Sequence, residues 1–423
     1  MNSLIFNSKE LPLARAMQLR EAVLLMFCDP LPVECALLMH LSREEWKGLL
    51  HWLDTSGMAL YFLDRLVELG QDGMLPTVVL ARLKENLADN TERIHQMIAE
   101  SVGIQRRFQE SGLSYAVVKG FSLWPLSVPK LELRSQLDQD FQVAEESAGE
   151  AQRILEAFGY KLHRRIDRHL EFQADAERTS SLKDLYKPGL SRSIELHIES
   201  DSAERPSRLS HAARVDFYGV SMPVLSPIDF FLGQALHAHK HLRGQLIRTA
   251  HLFEFRRHVI ARYGDKGFWE RLRRQVEGDA KTRTELGFLI LVIAKVMGPF
   301  APESLSRWSA DHVSPSMRLW VDMYARRAVL ADIPGTKLYL LVPNEASAPG
   351  APSMRRLWLK SIPRCLPFVI THPARNETTI ARIKRYGKQF FYVAQRLRFH
   401  FVEGIRLYRD SIVWRRSMNG LPD

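Results

Sequence analysis

Leu113-Ser-Tyr-Ala-Val-Val-Lys-Gly120, Leu137-Asp-Gln-Asp-Phe-Gln-Val143 and Ser193-Ile-Glu-Leu-His-Ile-Glu199 are the stretches from which the architecture is read. The first is a short, partly β-branched run closed by a Lys-Gly pair. The second alternates apolar and polar residues with period two, as a half-buried strand does. Between them runs a connection containing Trp124, Pro125 and Pro129. Helical spacing at Ile154, Leu155 and Phe158, with Gly159 as a stop, fills the next interval. Further strand-like runs follow at 169–174 and 193–199. Strands alternating with helices predict an α/β unit over residues 112–223.

On either side the pattern is helical. Residues 1–111 hold a capping-box spacing at Ser42-Arg-Glu-Glu45 ahead of Trp46, Leu49, Leu50 and Leu53. A helix from Ala59 stops at Gly70. A longer one follows Leu75-Pro76, carries Leu83, Leu87, Ile94, Ile98 and Val102, and ends at Gly112. Residues 224–342 open on Ser226-Pro-Ile-Asp229, a Ser cap with Pro at the first helical position and an acid in the first turn. Residues 343–353 read as a linker, and 354–423 as a basic helical tail. That tail holds 15 Lys or Arg against four acids, leaving 44 of each in the remainder.

Composition narrows the class. With 46% hydrophobic and 25% charged residues the chain is expected to fold. Its length of 423 residues exceeds the size at which single cores stop growing. The longest apolar run, Leu286 to Ala294, is cut by Lys295 and is too short to span a bilayer, so a buried helix is expected there. No small-residue cleavage site follows the apolar stretch Ala22 to Cys28, and a signal peptide is not expected. Three cysteines, Cys28, Cys35 and Cys365, fit neither a disulfide framework nor a zinc ribbon, which points to a reducing cytoplasm.

Asp138 and Asp140 stand two apart in a strand, so both side chains leave the same face and their carboxylates can share a cation. Magnesium takes such oxygens together with substrate phosphates. Glu195 is the best-placed third acid and Glu199 the reserve. By itself an Asp-x-Asp pair also suits a solvated strand face. Lys119 likewise suits a solvated strand end, and Arg134 a structural partner of the carboxylates. His237, His239 and His241 invite a metal reading, but on a helix 237 and 241 share a face while 239 points away. No Glu stands between them as in metalloprotease helices, which favours packing or surface roles over zinc. No P-loop, dinucleotide fingerprint or nucleophile elbow is present in the sequence.

In order, the strand, Lys119-Gly120, Arg134-x-x-x-Asp138-x-Asp140 and Glu195-x-His197 resemble the uncharacterised nucleotidyltransferase family of the polymerase-β superfamily. The wider likeness runs from about residue 40 to 305, through Leu225-Ser-Pro-x-Asp229, the histidines of 237 to 241 and Leu286-Gly-Phe-Leu. It implies a mixed α+β fold: a small nucleotidyltransferase α/β core with a mixed sheet, flanked by N- and C-terminal helical regions. It also implies a bacterial-type, metal-dependent transferase moving a nucleoside monophosphate from an NTP to a hydroxyl acceptor. Asp138, Asp140 and Glu195 would be both catalytic acids and metal ligands, for Mg2+ or Mn2+. Lys119, Gly120 and Arg134 would lie near the phosphates, where Gly permits close approach and the bases supply charge. The acceptor could be a small molecule, glycan, protein or RNA.

The sequence departs from the family pattern at four places. Gly120 stands 18 positions before Asp138, where Gly-Ser about ten before is usual. Gln139 replaces an aliphatic residue, the third acid is Glu rather than Asp, and no later Asp occurs around Ala250-His251. These departures sustain a second reading, a nucleotidyltransferase-like binding protein without turnover. A third is a basic protein that binds RNA or an anionic membrane surface through its tail, cytoplasmic and peripheral to the inner membrane.

Overall fold

The computed structural model describes residues 13–174, 184–188, 192–200, 207–343 and 378–420. Four helices lead: α1 (Leu13–Leu25), α2 (Arg43–Ser56), α3 (Ala59–Glu68) and α4 (Thr77–Glu110). The capping box at α2 forms as expected, with Glu45 N donating to Ser42 Oγ (3.3 Å) and Ser42 N to Glu45 Oε2 (2.7 Å). Helix α4 has 34 residues, about 51 Å at 1.5 Å per residue, which lets it serve two cores. Its early residues Val79 and Leu83 pack with helices, whereas Ile94, Met97, Ile104 and Phe108 pack under the sheet.

The middle of the chain folds as β1 (Tyr115–Val118), β2 (Asp138–Ala144), α5 (Ala148–Ala157), β3 (Tyr160–Ile166), β4 (His169–Ala174), β5 (Ser193–Glu199), β6 (Ala213–Phe217) and β7 (Val220–Val224). Among the described residues the strands form one mixed sheet in the order β3-β4-β5-β2-β1-β7-β6. β2 runs antiparallel to β1 and parallel to β5, so Asp140 pairs with Val118 on one side and with Glu195 on the other. This register positions the site, because it sets two acids side by side on adjacent strands. Phe141, Val143, Ile194 and Leu196 fill the core beneath.

The second helical series is α6 (Pro227–Leu242), α7 (Thr249–Ala261), α8 (Lys266–Val276), α9 (Ala280–Met297), α10 (Glu303–Asp311) and α11 (Pro315–Val329). Ser226 caps α6 through Asp229 N (3.2 Å). The apolar run at 286–294 lies within α9 and is buried, with Phe288, Leu289 and Val292 at 0% exposure. The N-terminal helices and this series share one hydrophobic core, in which Leu19, Phe62, Phe253, Ile290 and Trp320 all take part. The chain is therefore a mixed α+β protein whose sheet is flanked by a helical body built from both sides of the sequence. Among the described residues no helix is long and apolar enough to cross a membrane.

A last helix, α12 (Thr379–Met418), divides in two. Its second half is part of the body: Leu407 and Trp414 enter the helical core, and Arg327 pairs with Asp410. Tyr324 OH also donates to Asp410 O (3.0 Å). Its first half stands out, with Ile380, Ile383, Tyr386 and Phe390 exposed. The tail expected beyond the linker is thus anchored by residues from Phe399 onward. After Pro343 the linker at 343–353, and Cys365 and the Arg355–Lys360 run within the tail, lie outside the described residues.

Candidate active site

β1 ends in a turn whose backbone is left-handed at two consecutive positions, Lys119 (φ 58°) and Gly120 (φ 49°). A non-glycine residue there is strained, a cost kept only where the surroundings enforce it. At Gly120 the positive φ favours glycine, and a Cβ would come within 2.6 Å of Gln136 Nε2 and have to displace that amide. The turn carries the Lys119 ammonium to Asp140, Nζ to Oδ1 2.5 Å. His197 Nε2, from β5, lies 2.9 Å from the same oxygen.

Glu195 faces this group from the strand beside Asp140. Its Oε2 lies 3.6 Å from His197 Nε2 and 3.1 Å from His169 Nε2. The rings of His169 and His197 stack at 4.9 Å. Asp138, Asp140 and Glu195 are thereby brought onto one patch with Lys119. Glu199 is not: it pairs in register with Ala144, four residues further along β2, and is held by Ser207 Oγ (2.9 Å) and Arg208 Nε (3.0 Å). The reserve acid serves another part of the sheet.

The electrostatics differ among the three acids. Burial, then the Asp140 charge, raise Asp138 above the ordinary carboxylate value, against the opposing pull of Arg134, Lys119 and Arg248. Burial and Asp140 likewise raise Glu195. For Asp140 burial is outweighed by the His197 hydrogen bond and by Lys119, which hold its carboxyl well below the usual range. Burial works against the Lys119 charge, but Asp140, Glu195 and Asp138 overcome it and raise its pKa. One acid is satisfied by its partners, and two are crowded by like charge.

Arg134 lies deeper. Its Nε donates to Glu254 Oε1 (3.2 Å) and its Nη1 to Gln136 Oε1 (3.0 Å). Gln136 in turn donates to the Asp138 carbonyl (2.8 Å), and Tyr61 OH donates to the same Glu254 oxygen (3.0 Å). Arg248 donates through Nη2 to Ser135 O (2.9 Å) and Oγ (2.6 Å). These links tie the loop before β2 to α3 and α7. A cavity of about 240 Å³ opens beside the patch, lined among others by Lys119, Arg134, His197, Phe230, His237 and Glu254. Asp140 is reached from it through Lys119 and His197, which line the cavity and share its Oδ1.

Glu254 was not singled out in the sequence, although it stands three residues past His251, close to where the family pattern has its later acid. Only the fold reveals it, because its partners Tyr61 and Arg134 come from 193 and 120 residues away. His197 was visible only as the second half of the Glu-x-His motif.

The model of the uncharacterised nucleotidyltransferase family matches residues 42–298, more than half of the 423 residues, and the chain belongs to that family. No curated protein matches the chain. Among solved structures it is similar to the antibiotic-resistance factor ANT(2'')-Ia, with 14% identity and a TM-score of 0.32 over 44% of this chain and 92% of that one. It is also similar to an antigenic nucleotidyltransferase-like protein from Paracoccidioides brasiliensis, with 13% identity and a TM-score of 0.28 over 45% and 91% of the two chains.

Proposed function

We propose that the chain transfers a nucleoside monophosphate from an NTP to a hydroxyl acceptor, using Asp138, Asp140 and Glu195 as its acidic centre. The observation that carries this reading is the register that sets Asp140 beside Glu195, with Lys119 Nζ 2.5 Å from Asp140. The three carboxylates supply the oxygens that a hard divalent cation, Mg2+ or Mn2+, takes, and Asp138 and Glu195 carry a like-charge repulsion that a cation relieves. When bound, such an ion offsets the charge that develops on the transferring phosphoryl group.

The chain's own residues do the rest. Asp140 holds Lys119 and His197 in place, which fixes an ammonium at the cavity wall for a polyphosphate. Gly120 keeps the backbone at that turn bare. Arg134 has Nε and Nη1 committed to Glu254 and Gln136, so its first role is holding the wall, and only its remaining N–H groups are left for phosphate. Desolvation at these groups strengthens every interaction with the anion. A small molecule, glycan, protein or RNA could supply the acceptor oxygen.

The test is a screen with NTPs labelled at the α-phosphate against acceptors of each class, with pyrophosphate release read in parallel. Metal-dependent labelling supports the proposal. Metal-dependent NTP binding without pyrophosphate from any acceptor would instead support binding without turnover, a reading that the Lys119 and His197 contacts already crowding Asp140 make specific.

Lys119→Met is expected to raise the KM for NTP by roughly tenfold or more, since a buried charged contact to phosphate is worth about 1.5–3 kcal/mol. An unchanged KM with normal folding would remove Lys119 from the phosphate site.

For the tail, we propose that the first half of α12 lies on an anionic lipid surface. Arg382, Lys384, Arg385 and Lys388 alternate there with exposed Ile380, Ile383, Tyr386 and Phe390, a mixture suited to the membrane interface. Reversing these four charges should abolish retention on anionic vesicles at low salt while leaving the melting temperature within a few degrees. Wild-type retention that ignores salt, or preference for RNA over vesicles, would count against it. Deleting all of α12 should instead destabilise the body, because Leu407 and Trp414 leave with it.

A further inference from the structure

Three imidazoles from two helices meet beside the cavity. His237 and His241 lie one turn apart on α6, and His251 faces them from the start of α7. The ring centroids are 4.7 Å apart for 237 and 241, 5.0 Å for 237 and 251, and 4.6 Å for 241 and 251. One nitrogen from each ring lies within 4.8 Å of the others. We propose that His237, His241 and His251 bind a divalent transition-metal cation of the zinc type, at a site separate from the carboxylate patch.

The chemistry of the donors selects that class. Imidazole nitrogen suits Zn2+, Co2+ or Ni2+, whereas the carboxylate oxygens on the sheet suit Mg2+. A tetrahedral zinc with bonds of ~2.0–2.1 Å spaces its nitrogens roughly 3.4 Å apart, so closure needs side-chain shifts of about an ångström.

A second observation points to a ligand: His251 Nδ1 is buried and meets no hydrogen-bond partner among the described residues. Buried polar atoms are almost always paired, and packing of three rings alone leaves this one orphaned.

His239 takes no part. It lies between Glu285, 3.7 Å away, and the Phe288 ring. The third donor comes from α7 instead, which sequence spacing on α6 alone does not reveal. Three protein nitrogens leave a fourth position vacant, the arrangement of catalytic rather than structural zinc. Since His237 and His251 line the cavity, a substrate oxygen can complete that position.

The full-length protein, stripped with a chelator, would be titrated with Co2+ and followed by its visible d–d absorption, with Zn2+ competition read by calorimetry. We expect one equivalent with tetrahedral absorption, displaced by Zn2+. His241→Gln and His251→Gln should each weaken binding by more than the ~10–100-fold that loss of an outer-shell partner causes. Should His251→Gln fail to fold, His241→Gln, on a partly exposed residue, carries the test. Asp138→Asn, on the carboxylate patch, should keep the full Co2+ signal. No stoichiometric uptake by wild type, uptake that survives both histidine changes, or loss of the signal in a folded Asp138→Asn would each overturn the proposal. None of these outcomes bears on nucleotide transfer at the carboxylates.

Discussion

Asp138→Asn and Asp140→Asn are each expected to cut metal-dependent nucleotide transfer by on the order of a thousandfold, about 4 kcal/mol in the barrier. The amide keeps the shape and one oxygen but removes the charge that offsets a cation. The two variants should separate in stability. Asp138 is crowded by Asp140 and by burial, which raise its pKa, so neutralising it relieves repulsion and should leave the melting temperature unchanged or slightly higher. Asp140 sits in the opposite situation, its charge favoured by His197 and Lys119, so its loss should also lower stability. Because the folded protein holds the Asp140 carboxyl below its unfolded pKa, its charge stabilises the fold above that unfolded value, and the contribution is lost as pH falls toward the folded pKa. Parallel rate and thermal measurements check both halves. Transfer within tenfold of wild type in either variant would remove that residue from the acidic centre.

Much of the scaffold was legible because local chemistry and tertiary need agree there. The capping box at Ser42, the Ser226 cap and the apolar alternation of Leu137 to Val143 each gave an element within a residue or two of its place. β3 is not legible for a physical reason: Tyr160, Leu162 and Ile166 alternate with polar residues, but Arg164 breaks the series and the edge segment from Lys161 to Ile166 is exposed along its length, so it has no buried face. The hairpin of β6 and β7 turns at Tyr218 (φ 50°) and Gly219 (φ 76°), and its Tyr-Gly turn is a weaker signal than Asn-Gly. The pair Asp138 and Asp140 was visible through period two alone. What joined it to Glu195 was strand register, a long-range property. The assembly of His251 with His237 and His241 was hidden for the same reason, since the turn between α6 and α7 decides it.

Breaking the Arg134–Glu254 pair should be among the most destabilising single changes in the described structure. Both side chains are nearly excluded from solvent, at 11% and 3% exposure, and Arg248 lies close enough to oppose Arg134. Glu254 is therefore the carboxylate that offsets two buried guanidinium groups while accepting from Tyr61. Removing one partner of a buried pair leaves an uncompensated charge and typically costs about 3–5 kcal/mol, so Glu254→Gln and Arg134→Met should each lose that much in denaturant unfolding. The double variant Arg134→Met with Glu254→Leu should recover part of the loss, because an apolar pair avoids the desolvation that the ion pair suffers. This cycle also decides between two roles for Arg134. If it holds the cavity wall, NTP affinity falls only as stability falls, and the double variant recovers both together. If it grips phosphate, Arg134→Met costs less than about 1 kcal/mol of stability but most of the NTP affinity, and the second substitution restores none of it.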